Sequence, residues 1–274
     1  MKINHISVSR KRCFDECAQC YKYRYHLKVP RPGEEPFYFT YGNIVHTVAE
    51  HYVKRNGEDS LGDIATEVFR GKLPIGQTPD GKDQLAPSTL PPEYQKKLPK
   101  HLRAIQKLTD SIGTDGITEH EFYYDLDPPN GRHIKGFIDR LIIKEDKAWI
   151  IDYKTTKKGR WRHNKTTITT DVQLSVYARV VQKEFNIKPE NIQTALYYVE
   201  GGDLIGATFT DETLQKVEQE LLNTYKRIED ADPDKVWGTV GWHCKRCDYQ
   251  EMCPFYKPIT QKAASWDGDM SKLP

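Results

Sequence analysis

Two alternating apolar segments, HIKGFIDRLII and AWIIDYKTT, flank a short charged turn, and this pattern constrains the chain more than any other feature. Alternation at period two predicts a strand in each, and the turn at Glu145-Asp146 predicts a β-hairpin. Pairing outward from that turn sets Leu141 against Ile150 and Asp139 against Asp152. Directly opposed residues have β-carbons ~4.5–5.5 Å apart. Lys154 lies two residues beyond Asp152 and shares its face. Leu141, Ile143, Ala148 and Ile150 fill the rest of that face, and Ile138, Ile142, Trp149 and Ile151 fill the other. A hairpin apolar on both sides is an interior one, not a solvated ribbon.

Two opposed carboxylates in such a place repel and lose hydration, which raises their pKa values or calls for a counter-charge. A divalent cation resolves the conflict and leaves an ammonium group beside it. Gly42, His46 and Glu50 recur every four residues on a predicted helix over 41–56. Gly42 lets that face approach other backbone closely, and the His46 imidazole suits Mn²⁺ better than Mg²⁺ as a third ligand. Gln173 and Tyr177 share one face of a predicted helix over 171–185, directly after the Lys154 strand. Glu121, in the EHE run that opens the preceding strand, is read as an ordinary surface acid.

The remaining pattern predicts helices over 7–27, 93–112 and 211–230, strands over 117–126, 192–199 and 203–210, and loops over 71–92 and 157–168. The tail from 260 on reads as loose. The chain has 274 residues and a formal net charge of +2, which bounds it to one elaborated domain and announces no broad nucleic-acid-binding face. No apolar run reaches membrane-spanning length and no signal peptide opens the chain, so a cytoplasmic protein is expected, in host cytoplasm if viral. No G-x-x-x-x-G-K-[ST] loop is present, so the chain is not itself a nucleotide-driven motor.

Six cysteines in such a setting point to metal ligation or free thiols. Cys244, Cys247 and Cys253 are close in sequence near the end, and Cys13, Cys17 and Cys20 are spaced four and three along the first predicted helix. Three late thiolates and one early one make a four-sulfur cage for zinc or an iron–sulfur cluster. The run KKGRWRHNK places Lys157, Lys158, Arg160, Arg162 and Lys165 around Trp161. Cations for phosphates with an aromatic for base stacking suit a single strand.

In their order, G-x-x-x-H at 42–46, G-x-x-D-R at 136–140, D-Y-K-T at 152–155 and Q-x-x-x-Y at 173–177 resemble a RecB-like nuclease of the PD-(D/E)xK superfamily. That resemblance implies a restriction-endonuclease-like α/β fold, a mixed central sheet flanked by helices, with a core over about 40–210. It implies His46, Asp139, Asp152 and the Tyr153 carbonyl as ligands of one or two Mg²⁺ or Mn²⁺ ions, with Lys154, Gln173 and Tyr177 in catalysis. Relatives with one early and three late cysteines imply a 4Fe-4S cluster on Cys17, Cys244, Cys247 and Cys253, joining the segments 1–30 and 237–256 as a cap. Zinc is the alternative, and Cys20 the second choice of early ligand. The implied activity is single-strand DNA exonuclease action in recombination or end processing, with a helicase or recombination protein as partner. A structure-specific endonuclease, a nuclease subunit of a helicase complex, and a cluster-bearing DNA-binding or assembly module are the competing expectations.

Overall fold

A computed structural model describes residues 1–33, 35–78, 81–157, 159 and 162–256. Lys158, Arg160, Trp161 and the tail beyond 256 lie outside the described residues. Seven α-helices are described: α1 (Val8–Glu16), α2 (Ala18–Tyr21), α3 (Phe37–Lys54), α4 (Leu61–Phe69), α5 (Pro92–Ile112), α6 (Val172–Phe185) and α7 (Asp211–Asp230). Five strands, β1 (Ile117–Asp127), β2 (Arg132–Lys144), β3 (Lys147–Lys154), β4 (Ile192–Tyr198) and β5 (Asp203–Ala207), form one sheet in the order β1-β2-β3-β4-β5.

The sheet is mixed. β2 and β3 are antiparallel, β3 and β4 parallel, and β4 and β5 antiparallel. A parallel pair needs a crossover, and α6 lies within the one between β3 and β4. The hairpin pairs Leu141 with Ile150 and Lys144 with Lys147, the register expected from a turn at Glu145-Asp146. Glu145 adopts φ 55°, the left-handed conformation that a tight hairpin turn demands. Leu141, Ala148 and Ile150 on one face and Ile138 and Ile151 on the other are buried, so both faces are covered.

Contacts divide the chain into two compact units: residues 1–34, 125–135 and 219–274, and residues 35–124 with 136–218. The second unit holds a core in which α3, α4 and α5 pack with Ile151, Tyr153 and Tyr197 of the sheet. α4 was not expected from the sequence. Ser60 caps it by accepting from the Asp63 amide, and Leu61, Ile64, Ala65 and Val68 bury its inner face. The helix α3 is pinned by a buried chain of polar groups. The Tyr41 hydroxyl donates to His101 Nδ1 at 2.8 Å, and His101 Nε2 donates to Glu200 Oε2 at 2.7 Å.

In the first unit the helix expected over 7–27 is broken. Cys17 is extended, with φ −164° and ψ 109°, between α1 and α2, and Lys22–His26 form a π-helical turn. Cys13, Cys17 and Cys20 therefore do not run along one regular helix face, which corrects the expectation. Among the described residues, no helix is long and apolar enough to cross a membrane.

Candidate metal and catalytic site

The site lies within the second unit, where β2, β3, β1 and α3 each deliver a polar group. The Asp139 carboxylate is oriented by backbone: Tyr153 N of β3 donates to its Oδ2 at 2.7 Å. The same oxygen lies 3.4 Å from Nδ1 of His46 on α3. Donor atoms of His46, Glu119 and Asp139 all fall within 4.8 Å of one another. Two carboxylates and an imidazole at that spacing match the hard, oxygen-rich set that Mg²⁺ or Mn²⁺ prefers.

Asp152 stands beside this group and is almost fully buried. Its Oδ2 lies 2.6 Å from Lys154 Nζ, a close ion pair. A buried carboxylate beside Asp139 can join the same cation-holding set. Lys154 Nζ donates to Gln173 Oε1 at 3.0 Å, and Gln173 Nε2 donates to the Tyr177 hydroxyl oxygen at 2.7 Å. The expected one-turn spacing of Gln173 and Tyr177 thus becomes a relay from α6 to Lys154.

The electrostatics follow from crowding. Burial and the Asp139 charge push Asp152 up to about 6. Burial and the same charge push Glu119 up to about 7. For His46, burial works downward, but Asp139, Asp152 and Glu119 outweigh it and raise the imidazole to about 9. Burial also opposes the charge on Lys154, and Asp152 and Asp139 more than restore it, so its pKa is raised. Asp139 goes the other way, below the ordinary carboxylate range: His46 and Lys154 overcome the cost of its burial.

Glu119 was missed. Within the EHE run, Glu121 is exposed, as its reading as a surface acid expects, and it is Glu119 that turns to the site. Glu119 has φ 49°, a left-handed residue inside β1, so strand alternation does not predict which way it points. Gly42 is less demanding than expected. A β-carbon there would meet Thr155 Oγ1 at 3.7 Å, an ordinary contact. The critical glycine is Gly136, where a β-carbon would fall 2.5 Å from the Phe122 ring. Phe122 in turn meets Tyr177 edge-on, with centroids 5.9 Å apart.

Arg140, next to Asp139, is fully buried on the opposite face and donates through Nη2 to the carbonyls of Gly113 and Asp115, just past the end of α5. In the segment after Lys154, Lys157 and Lys165 are exposed. Arg162 is not. It pairs with Asp203 at 2.7 Å, donates to Thr156 O and stacks on Tyr198 at 4.4 Å. Its guanidinium braces the segment from within.

All six cysteines are free and lie in the first unit. Cys20 Sγ is 3.7 Å from Cys13 Sγ and 3.9 Å from Cys247 Sγ. Cys17 and Cys244 are buried, and Cys253 is half-buried.

The family model that matches this chain is the PD-(D/E)XK nuclease superfamily, over residues 5–254. The chain belongs to that superfamily. The match spans both units and every residue of the site. The Gene 69 protein of Mycobacterium phage L5 is 25% identical over 301 residues, covering 92% of this chain and 96% of its own length. The Gene 69 protein of Mycobacterium phage D29 is 23% identical over 158 residues, covering 53% of this chain and 51% of its own. A crystal structure from Eubacterium rectale described as a "Putative exonuclease" shares the fold at a TM-score of 0.52 and 14% identity, covering 96% of this chain and 94% of that one. The α/β fold and the carboxylate–histidine site are those expected of a nuclease of this superfamily.

Proposed function

We propose that this chain is a metal-dependent DNA exonuclease that digests single-stranded ends by phosphodiester hydrolysis, in DNA-end processing or recombination. The observation that carries the proposal is the donor cluster of His46, Glu119 and Asp139 beside the buried Asp152–Lys154 pair. His46, Glu119, Asp139 and Asp152, with the Tyr153 carbonyl, would hold one or two Mg²⁺ or Mn²⁺ ions. The cation, when bound, supplies charge neutralisation and polarises the phosphoryl group.

The chain's own residues supply the rest. Lys154 stays protonated, because the neighbouring carboxylates stabilise its charge, so it is a donor and not a general base. Its ammonium is placed to stabilise negative charge that builds on the phosphate as a water attacks. Gln173 holds that ammonium through its carbonyl oxygen. The Tyr177 hydroxyl accepts from Gln173 and, with a pKa well above its ordinary value because of burial, keeps its own proton to offer the substrate. Lys157 and Lys165 are exposed cations that would meet flanking phosphates. From the sequence, Lys158 and Arg160 would do the same and Trp161 would stack on a base.

The cysteines would hold a 4Fe-4S cluster, with Cys244, Cys247 and Cys253 as late ligands and, as the early one, Cys17 or its alternative Cys20, whose sulfur meets Cys247. The donor set fits a soft metal group: all six sulfurs are free thiols, and Cys20 and Cys247 meet across the length of the sequence. Such a clip would shorten the loops of the unfolded chain and stabilise the unit that carries both ends.

The test is degradation of end-labelled single- and double-stranded DNA with Mg²⁺ or Mn²⁺. The proposal expects release of short products from single-stranded ends by the parent chain and none from Asp152→Ala. Cleavage by Asp152→Ala at the parental rate would refute the assignment of the site.

A further inference from the structure

Three exposed aromatic rings extend the site outward from its ligands. Tyr38, Phe39 and Phe137 are 55%, 44% and 45% exposed. Rings of this size stay in water only at a cost, and single exposed ones are common, so position decides their meaning. Phe137 lies two residues before Asp139 on β2, which puts it on the same strand face, ~7 Å away. Phe39 lies seven residues before His46 on α3, two helical turns along nearly the same face, ~10 Å away. Gly42, between them, faces Thr155, the residue after Lys154. Gly42, three residues after Phe39 on α3, thus lies against the end of β3 where Lys154 sits. Tyr38 and Phe39 support each other, with centroids 4.4 Å apart.

Each ring thus lies on a ligand-bearing element, and β3, which carries Asp152, ends in cations. Lys154 is part-exposed at the site, and Lys157 is exposed three residues further on. A polyanion whose phosphate reaches the carboxylate cluster must run its neighbouring nucleotides over these elements. We infer that Phe137 and the Tyr38–Phe39 pair are stacking platforms for unpaired bases flanking the scissile phosphate. Every base has a π-face, so such platforms accept any sequence, but a base must leave its duplex to use them. This rests on the nuclease reading and gives its single-strand preference a physical source: strand separation is required at the rings, not at the carboxylate cluster.

The test is equilibrium binding by fluorescence anisotropy, in full-length Asp152→Ala protein so that nothing is cut. The probes are a single-stranded oligonucleotide, an abasic strand of the same length and a blunt duplex. Phe137→Ala and the double variant Tyr38→Ala/Phe39→Ala are each expected to weaken single-strand binding about 5- to 150-fold. Abasic-strand and duplex binding are expected to be unchanged, and Phe137→Trp to restore the parental affinity. Equal binding of the base-bearing strand by parent and variants overturns the inference. So does an equal loss for the abasic strand, which would mark a phosphate or folding effect. Self-association of the parent that the variants abolish would assign the rings to protein contact, and overturns it as well. The cleavage assay reads the nuclease proposal separately: cutting without aromatic dependence sinks only this inference, and aromatic-dependent binding without cutting sinks only the nuclease.

Discussion

The Phe122 ring covers Gly136, lying 2.5 Å from where a β-carbon would stand. Phe122 also meets Tyr177, whose hydroxyl accepts from Gln173, which holds Lys154. A methyl group at 136 would press on a ring that backs the Tyr177–Gln173–Lys154 relay. Gly136→Ala should lower stability by ~1–3 kcal/mol, the usual cost of overpacking. It should also slow cleavage, because Tyr177 would shift with Phe122. Urea denaturation and a rate assay on the same preparation check this; unchanged values in both would remove Gly136 from the argument.

Gln173→Ala should lower kcat about 10- to 100-fold, the range typical when a group that orients a catalytic residue is lost. KM should change little, since the ammonium itself remains. Single-turnover kinetics at saturating DNA make the distinction. A rise in KM at constant kcat would instead make Gln173 a substrate-binding residue.

Cation affinity should rise with pH. Ligation requires Asp152, Glu119 and His46 to be deprotonated, and their pKa values are raised to about 6, about 7 and about 9. The cation-free protein has the opposite trend. A group whose pKa is raised by folding contributes stability below its unfolded value and loses it as pH climbs through the folded one. Between about pH 4 and 9 these three groups therefore drain stability from the free protein, and added Mn²⁺ should restore more of it at pH 8 than at pH 6. Thermal melts with and without Mn²⁺ across that range read the effect directly. A stabilisation by Mn²⁺ that grows on acidification would be the wrong sign.

Freshly purified protein should be brown, and Cys247→Ser should lose the colour and melt earlier. Cys13→Ser should keep both. A colourless parent containing one zinc per chain would replace the cluster with a single ion.

The hairpin was legible because period-two alternation survives in both strands, and a turn fixed on Glu145-Asp146 leaves one register. His46, Gln173 and Tyr177 were legible because helix spacing puts each on a stated face. Glu119 was not, since its left-handed φ breaks the pattern that would have pointed it inward. The break at Cys17 was hidden as well: nothing in DECAQC forbids helix, and the extended residue is imposed by the tertiary setting. Helix α4 was readable in retrospect from Ser60, Asp63 and the spacing of Leu61, Ile64 and Val68. Arg162 looked like a phosphate contact because charge in a loop sequence says nothing about direction; Asp203, on a later strand, draws it inward.

Asp139 takes its orientation from an amide of the facing strand, Tyr153 N. The distance between the candidate acid ligands is therefore a property of strand pairing and is dictated by the reversal at Glu145, ~20 Å along the ribbon. Lengthening that reversal by one residue would touch nothing near the carboxylate–histidine cluster, yet would slide Tyr153 out from under Asp139 and turn Lys154 to the opposite side of the sheet.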